Sequence, residues 1–364
     1  MILIAEKKTE IERVSFEEGL RFFQNDSLEE LQEKAVRIRN FWNDPKTVTF
    51  IIDTNPNYTN VCTANCSFCA FYRRPKSSQA YTHSVEDVMQ MIEQSVNLGV
   101  TTVLLQGGLH PDLPLSYYVH LVRETRKHFP SVTPHFFSAP EIKNIADVNK
   151  ISVLDVLQAL YEAGQRTLPG GGAEILTDRV RNLISPEKLS AADWLNVHET
   201  AHQVGFRSTA TMMFGTKESD EDILTHLCSL RDLQDRTGGF TAFIPWSYKP
   251  INSKTVWEYT RNDASMYYRV LAFSRIFLDN FAHIQASWFS EGKETGKKSL
   301  QYGADDFGGT LFIENVHKAA KFENKSTVDE IRQLISEAGY NPVQRTTLYE
   351  TMRKKIAGEM EELL

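Results

Sequence analysis

Three cysteines fall within eight residues, Cys62-Thr63-Ala64-Asn65-Cys66-Ser67-Phe68-Cys69, spaced C-x3-C-x2-C. Thiolates are soft ligands, and three close together can hold zinc or an iron–sulfur cluster. Structural zinc takes four protein ligands, usually from paired C-x2-C units. No second pair exists here, since Cys228 lies far away and alone. Zinc would need a fourth ligand such as His83; buried unliganded thiols are the bland alternative. On a cubane cluster, three thiolates leave one iron without a protein ligand, free to bind a substrate or cofactor.

Other residues carry chemistry at a distance from the cysteines. Gly107-Gly108 lets backbone come close to a ligand, because no Cβ blocks it, although a tight turn also uses glycine. Pro169-Gly170-Gly171-Gly172 is followed by Glu174, Arg179 and Arg181. It is neither a dinucleotide fingerprint nor a P-loop. His110, His135 and Asp53 are candidates for proton transfer, weighed against satisfied structural roles. Arg73 and Arg74 suit an anionic substrate or an acidic electron donor, or are a solvated basic pair. Cys228 sits in a helical run with Ile223, Leu227 and Leu230 and reads as a core thiol.

The elements that must position these residues alternate. Strand-like runs start near Val48, Thr101, Thr133, Arg166, Ser208, Ala242, Ile284 and Asp306, with helical patterns between them. In 85–98, Val85, Val88, Met89, Ile92 and Val96 share one face, and Ser84 is the N-cap. Gly99, Gly164 and Gly205 each close a helix before the next strand. Eight strands alternating with helices predict an α/β fold, a (β/α)8 TIM-type barrel; two separate α/β domains are the alternative. Residues 1–46 are expected to be a helical extension, with a helix over 28–43 capped by Ser27 and Glu30. The barrel spans 47–320, and 321–364 is a helical segment packed on it, with a helix over 326–338. Sites in such barrels sit at the C-terminal strand ends. The cysteines, Gln106 to His110, Ser138 to Glu141, Pro169 to Glu174, Thr211 to Gly215 and Pro245 to Lys249 all fall there.

Composition excludes several classes. Of 364 residues, 41% are apolar and 24% charged, as in an ordinary globular protein. The net charge of −7 offers no basic stripe for a nucleic acid. Met1 to Ala5 is apolar but too short for a signal peptide and lacks a basic flank. No apolar run is long enough to span a bilayer. A reducing cytoplasm is the expected setting.

With an aromatic residue just before the last cysteine, the motif resembles that of the radical S-adenosylmethionine (SAM) enzymes. The resemblance implies a [4Fe–4S] cluster on Cys62, Cys66 and Cys69, with SAM chelating the fourth iron. It implies a radical SAM barrel, with Gln106, Gly107 and Gly108 at the cofactor and glycine carbonyls meeting the SAM ammonium. Phe68 would shield the cluster while its backbone meets the adenine. Glu174 could accept hydrogen bonds from the ribose, and Arg179 or Arg181 could hold the SAM carboxylate. A flavodoxin or ferredoxin would deliver the electron.

The resemblance runs from about 48 to 350. Asn57 to Cys62, Cys66 to Arg73 and Gln106 to Pro111 resemble the group that makes menaquinone through futalosine, together with the deazaflavin-cofactor synthases. Leu168 to Leu176, Ser208 to Gly215 and Thr237 to Trp246 resemble the cyclase branch, whose substrate is dehypoxanthine futalosine, and Gly303 to Thr310 fits the same group. There the 5′-deoxyadenosyl radical removes the C4′ hydrogen of the ribose, and the carbon radical closes onto the benzoate ring. The alternatives are the aminofutalosine synthases, the deazaflavin-cofactor synthases, and a non-catalytic iron–sulfur or zinc protein. The chain departs from the group's pattern at Thr54, at Thr216 to Ser219 and just after Val316.

Overall fold

A computed structural model describes residues 11–251, 255 and 263–352. The apolar Met1 to Ala5, and the outer ends of the expected extension and C-terminal segment, lie outside the described residues.

The strands are β1 (Thr47–Ile51), β2 (Asp53–Thr54), β3 (Thr102–Leu105), β4 (Thr133–Phe136) and β5 (Thr167–Leu168). They continue as β6 (Arg207–Phe214), β7 (Phe240–Ser247), β8 (His283–Ile284), β9 (Asp306–Gly309) and β10 (Asn341–Gln344). Every pairing between them is parallel. β1 and β2 are one strand interrupted at Ile52. Their neighbours are β9 on one edge and β3 on the other. Gln285 bridges to Asp306 and joins β8 to β9. Together these strands close a parallel barrel, with eight positions starting within two residues of the expected ones.

The ring has one seam without a backbone ladder, between β4 and β5. Pro134 in β4 has no N–H to donate. Side chains bridge the gap instead. Buried Gln165 donates its amide to Phe136 O (2.8 Å) and Thr167 O (3.0 Å), and Thr167 Oγ1 donates to Pro134 O (3.2 Å).

Helices α1 (Phe16–Asn25) and α2 (Leu28–Trp42) precede the barrel, each opened by a capping box: Ser15 with Glu18, and Ser27 with Glu30. α1 packs closely on α10 (Ala264–Phe277). A Cβ on Gly19 would lie 2.8 Å from Phe277, and Phe23 meets Phe273 edge to face at 5.1 Å. Arg39 of α2 donates to Ala304 O (3.1 Å) and Thr47 O (2.7 Å), tying α2 to the N-terminal ends of the strands. The crossover helices α3 (Val85–Val96), α4 (Leu115–His128), α5 (Ala139–Asn149) and α6 (Val153–Glu162) coat the first half of the barrel. α7 (Asp178–Ile184), α8 (Ala191–Val204) and α9 (Asp220–Thr237) follow. The short α11 (Trp288–Glu291), α12 (Lys293–Ser299) and α13 (Val316–Ala319) lie after β8 and β9. No helix among the described residues is long and apolar enough to cross a membrane.

The C-terminal segment holds more than a helix. After α14 (Val328–Glu337) the chain forms β10, which pairs with β1 from Thr47↔Asn341 to Phe50↔Gln344. It then crosses the N-terminal end of the barrel. Thr347 Oγ1 meets Thr102 Oγ1 at 2.6 Å, and the Tyr349 ring stacks on His283 at 3.8 Å. Between them, buried Arg345 clamps Asp306 through Nε–Oδ2 (2.5 Å) and Nη2–Oδ1 (3.0 Å). Breaking a buried pair from one side leaves an unpaired charge. Arg345→Met is therefore expected to cost about 3–5 kcal/mol of stability, read from urea unfolding midpoints. Arg345→Met/Asp306→Asn should recover most of it; equal losses in both would contradict the assignment.

Candidate active site at the barrel mouth

The cysteine loop is held on three sides by backbone hydrogen bonds. Cys62 N donates to Arg73 O (2.9 Å), Thr63 N to Leu109 O (3.0 Å), and Ser67 N to Ile184 O (2.8 Å). Cys62 and Cys66 are buried, Cys69 partly so, and Ala64, Phe68, Tyr72 and Leu109 pack around them. Burial pushes the Cys66 and Cys69 thiols up to about 11 in the free protein.

The neighbouring loop is fixed by one carboxylate. Glu141, the N3 residue of α5, is buried and accepts from Tyr58 Oη (2.8 Å), Gly107 N (2.9 Å), Ser138 N (2.8 Å) and Ser138 Oγ (2.6 Å). It thus joins the segment entering the cysteine loop to the loops after β3 and β4. Gly108 N donates to Thr59 O (3.0 Å). A Cβ on Gly108 would sit 2.2 Å from Val61 O and 2.8 Å from Cys62 Cβ, and one on Gly107 2.6 Å from the Tyr58 ring. Glycine here is a requirement of close approach. With both amides engaged, the two carbonyls accept no protein hydrogen bond among the described residues.

These pieces line one cavity of about 420 Å³ running from the mouth into the barrel. One wall carries Cys62, Cys66, Cys69, Phe68, Gln106, Gly107, Gly108 and Glu174. Glu174 has φ +45°, a sparsely populated conformation for a side chain with a Cβ. Its carboxylate pairs with Lys188 Nζ at 2.5 Å. Burial alone would lower the Lys188 ammonium, yet Glu174 and the Cys66 thiol hold it above its ordinary value.

Deeper in the barrel are Asp53 and His135. Asp53 Oδ1 accepts from Leu311 N (2.8 Å), and burial raises its carboxyl to about 7. His135 is lowered to about 3 by burial, with Arg345 adding to the effect, and its Nδ1 has no hydrogen-bond partner. Arg345, Thr347 and Tyr349 complete this floor.

Several expected site residues lie elsewhere. His110 is off the cavity wall, with Nδ1 accepting from Asp112 N (3.1 Å). Arg179 is half-exposed and paired with Asp222. Arg181 is buried beneath the wall, and its guanidinium binds the carbonyls of Gly172, Ala173 and Leu189. No carboxylate-binding role is open to either arginine in this arrangement. Arg73 donates to the carbonyls of Ala70, Phe71 and Tyr72, and Arg74 to Thr63 O (2.6 Å). Both therefore brace the cysteine loop. His83 is not on the cavity wall; its ring packs on Tyr81 at 4.7 Å. Sequence reasoning gave no role to Lys188, Lys249, Glu314, His317 or Arg345, all on the cavity wall. Only Lys249 stood in a segment singled out at a strand end.

The donor set fits an iron–sulfur cluster. Among the described residues no three His, Cys, Asp or Glu side chains close round a point as a single ion requires. A polynuclear group takes a thiolate on each of three metal atoms, and Cys62, Cys66 and Cys69 share one wall of the cavity.

A parallel barrel with this three-cysteine wall at its mouth defines a radical SAM enzyme. The family model described as Radical SAM superfamily matches residues 56–227, and that described as CofH/MqnC C-terminal region matches 237–357. The chain belongs to the radical SAM superfamily, in the CofH/MqnC family. It is 41% identical over 350 residues to a cyclic dehypoxanthine futalosine synthase from Halalkalibacterium halodurans, covering 96% of this chain and 94% of that one. It is 38% identical to an aminodeoxyfutalosine synthase from Thermus thermophilus, covering 97% and 96%. Among solved structures, the FeFe-hydrogenase maturase HydG from Carboxydothermus hydrogenoformans superposes with TM-score 0.70 at 17% identity, over 96% of this chain and 80% of that one. That likeness supports the fold. Membership of the superfamily carries SAM and [4Fe–4S] chemistry with it.

Two predictions follow from this geometry. Gly108→Ala drives a methyl into Val61 O, so iron retained per chain after anaerobic reconstitution should fall well below wild type; equal iron would contradict the packing. For Asp53, the unfolded chain ionises near 3.8 and the folded chain near 7. The unfolded chain loses its proton first as pH rises, so this group lowers stability between about pH 4 and pH 7. In Asp53→Asn the urea midpoint should decline less across that window than in wild type; parallel curves would refute it.

Proposed function

We propose that this protein is a radical SAM cyclase that converts dehypoxanthine futalosine to cyclic dehypoxanthine futalosine, within menaquinone biosynthesis. The observation that carries this reading is the shared wall. Cys62, Cys66, Cys69, Gly107, Gly108 and Glu174 face one cavity, in a chain that aligns almost end to end with a cyclase of that name.

Cys62, Cys66 and Cys69 would hold the cluster, and the free carbonyls of Gly107 and Gly108 would take the ammonium of SAM. Glu174, with its charge balanced by Lys188, would accept from the ribose hydroxyls of SAM. When bound, the cluster and SAM would supply the radical chemistry by which hydrogen is taken from C4′ of the substrate's ribose. The chain's own task is placement and exclusion of water. The cavity wall is largely apolar around the mouth, where Phe68, Trp246, Trp288 and Phe289 stand. The polar floor offers Asp53, neutral His135 and Thr102 to hydroxyl groups. Asp53, with its proton held to about pH 7, is placed to exchange one with a bound ligand. The electron would come from a flavodoxin or ferredoxin.

The test is anaerobic incubation of the reconstituted protein with dehypoxanthine futalosine, SAM and a reductant. The expected outcome is free 5′-deoxyadenosine together with a cyclised product, read by mass spectrometry. Adenosyl carbon built into the product of an enol-ether substrate would instead assign the aminofutalosine synthase activity.

A further inference from the structure

Among the described residues the cavity wall holds three lysine or arginine side chains, and two of them stand at the cysteine wall and the floor. Lys188 belongs to Glu174 on the cysteine wall. Arg345 turns its fork onto Asp306 beneath the floor. The third, Lys249, stands at the rim beyond the end of β7. Its Nζ donates to Ser247 Oγ (2.6 Å) and Glu291 Oε2 (3.1 Å). Glu291 is fixed in turn by Ser247 N (2.8 Å) and Ser247 Oγ (2.7 Å). An ammonium has three protons, and the third meets no acceptor among the described residues.

Beside it is His317 at the start of α13. Its Nδ1 is buried and has no hydrogen-bond partner. Its Nε2 lies 3.4 Å from Ser290 Oγ. The nearest carboxylate, Glu314, is 3.9 Å from Nδ1, and its oxygens accept the amides of Val316 and His317. Lys249 and His317 share the Phe322 ring, at 5.0 Å from Nζ and 6.4 Å from the imidazole centroid. The imidazole is also walled by Phe289 at 4.7 Å and Trp246 at 5.8 Å, both edge to face. A buried polar atom left without a partner is costly. The third ammonium proton of Lys249 and, in the tautomer whose Nε2 accepts from Ser290 Oγ, the Nδ1–H of His317 are unmet donors, and within an aromatic wall they suit an anion carried on a flat ring.

We propose that Lys249 and His317 receive the carboxylate of the substrate's aromatic ring, with the ring against Trp246 and Phe289. The inference rests on the functional reading above. It assigns the substrate's anionic end to the β7 and α13 side of the mouth, leaving Gly107, Gly108 and Glu174 to SAM. Both groups are positioning residues.

The experiment compares dehypoxanthine futalosine with its ring carboxamide, in the reconstituted full-length enzyme. Wild type should prefer the acid by about ten- to a hundredfold in kcat/KM, the range of a charged hydrogen bond. In Lys249→Met most of that preference should vanish, with the loss falling on KM for the acid. Removing the ammonium alone weakens the setting of Glu291, so Lys249→Met/Glu291→Gln is measured beside it and should show the same loss. His317→Gln should reduce the preference partly. A Lys249→Met enzyme that kept the wild-type preference, or in which only the KM for SAM rose, would overturn the proposal and give the site to the cofactor's carboxylate. If wild type turned over neither compound, the functional reading would fall, and the site with it. Turnover with unchanged preference would remove the site alone.

Discussion

The buried carboxylate of Glu141 is the constraint on which the mouth depends. Burial raises it, while four donors from Tyr58, Gly107 and Ser138 oppose that shift. Those donors come from three successive strand ends. Without a common acceptor, each loop would be free to settle on its own. With it, the run into the cysteines and the glycine pair are drawn together until only glycine fits at 107 and 108. The same carboxylate completes the cap of α5, so a helix end and a cofactor wall share one group. Tyr58, buried against Tyr118 and Phe137 edge to face, is locked by packing as well as by its hydroxyl.

Much of the barrel was legible because its signals are local. Apolar runs bounded by Ser caps and stop glycines locate strands and helices to within a few residues. β10 carried no such signal. Asn341-Pro342-Val343-Gln344 neither alternates nor runs apolar, and only its partner β1, nearly three hundred residues earlier, makes it a strand. Arg345 was hidden for the same reason: its acceptor, Asp306, lies on another strand. The seam at β4 and β5 is likewise a tertiary matter, since Pro134 shows where a ladder must fail but not that Gln165 will span it.

The site was legible in its covalent spacing and less so in its charges. Cysteines three and two residues apart must share a loop, so their common wall was readable from sequence. Which arginine faces inward was not. Arg179 and Arg181 sit two apart on α7 and turn to different sides, one to Asp222 and one to backbone carbonyls, while the cation beside Glu174 is Lys188 from the following loop. His110 and His135 differ in the same way: the first caps its own turn, the second points into the barrel. Among the described residues, each cation of the cavity wall is tied to a carboxylate, as buried charge requires.

The most direct test of the central claim is spectroscopic. After anaerobic reconstitution with iron and sulfide and chemical reduction, electron paramagnetic resonance should show a [4Fe–4S] signal whose shape changes when SAM is added, as one iron exchanges its outer ligand. A cluster signal indifferent to SAM, or bound zinc with no cluster at all, would contradict the account of a three-thiolate site with a vacant metal corner facing the cavity.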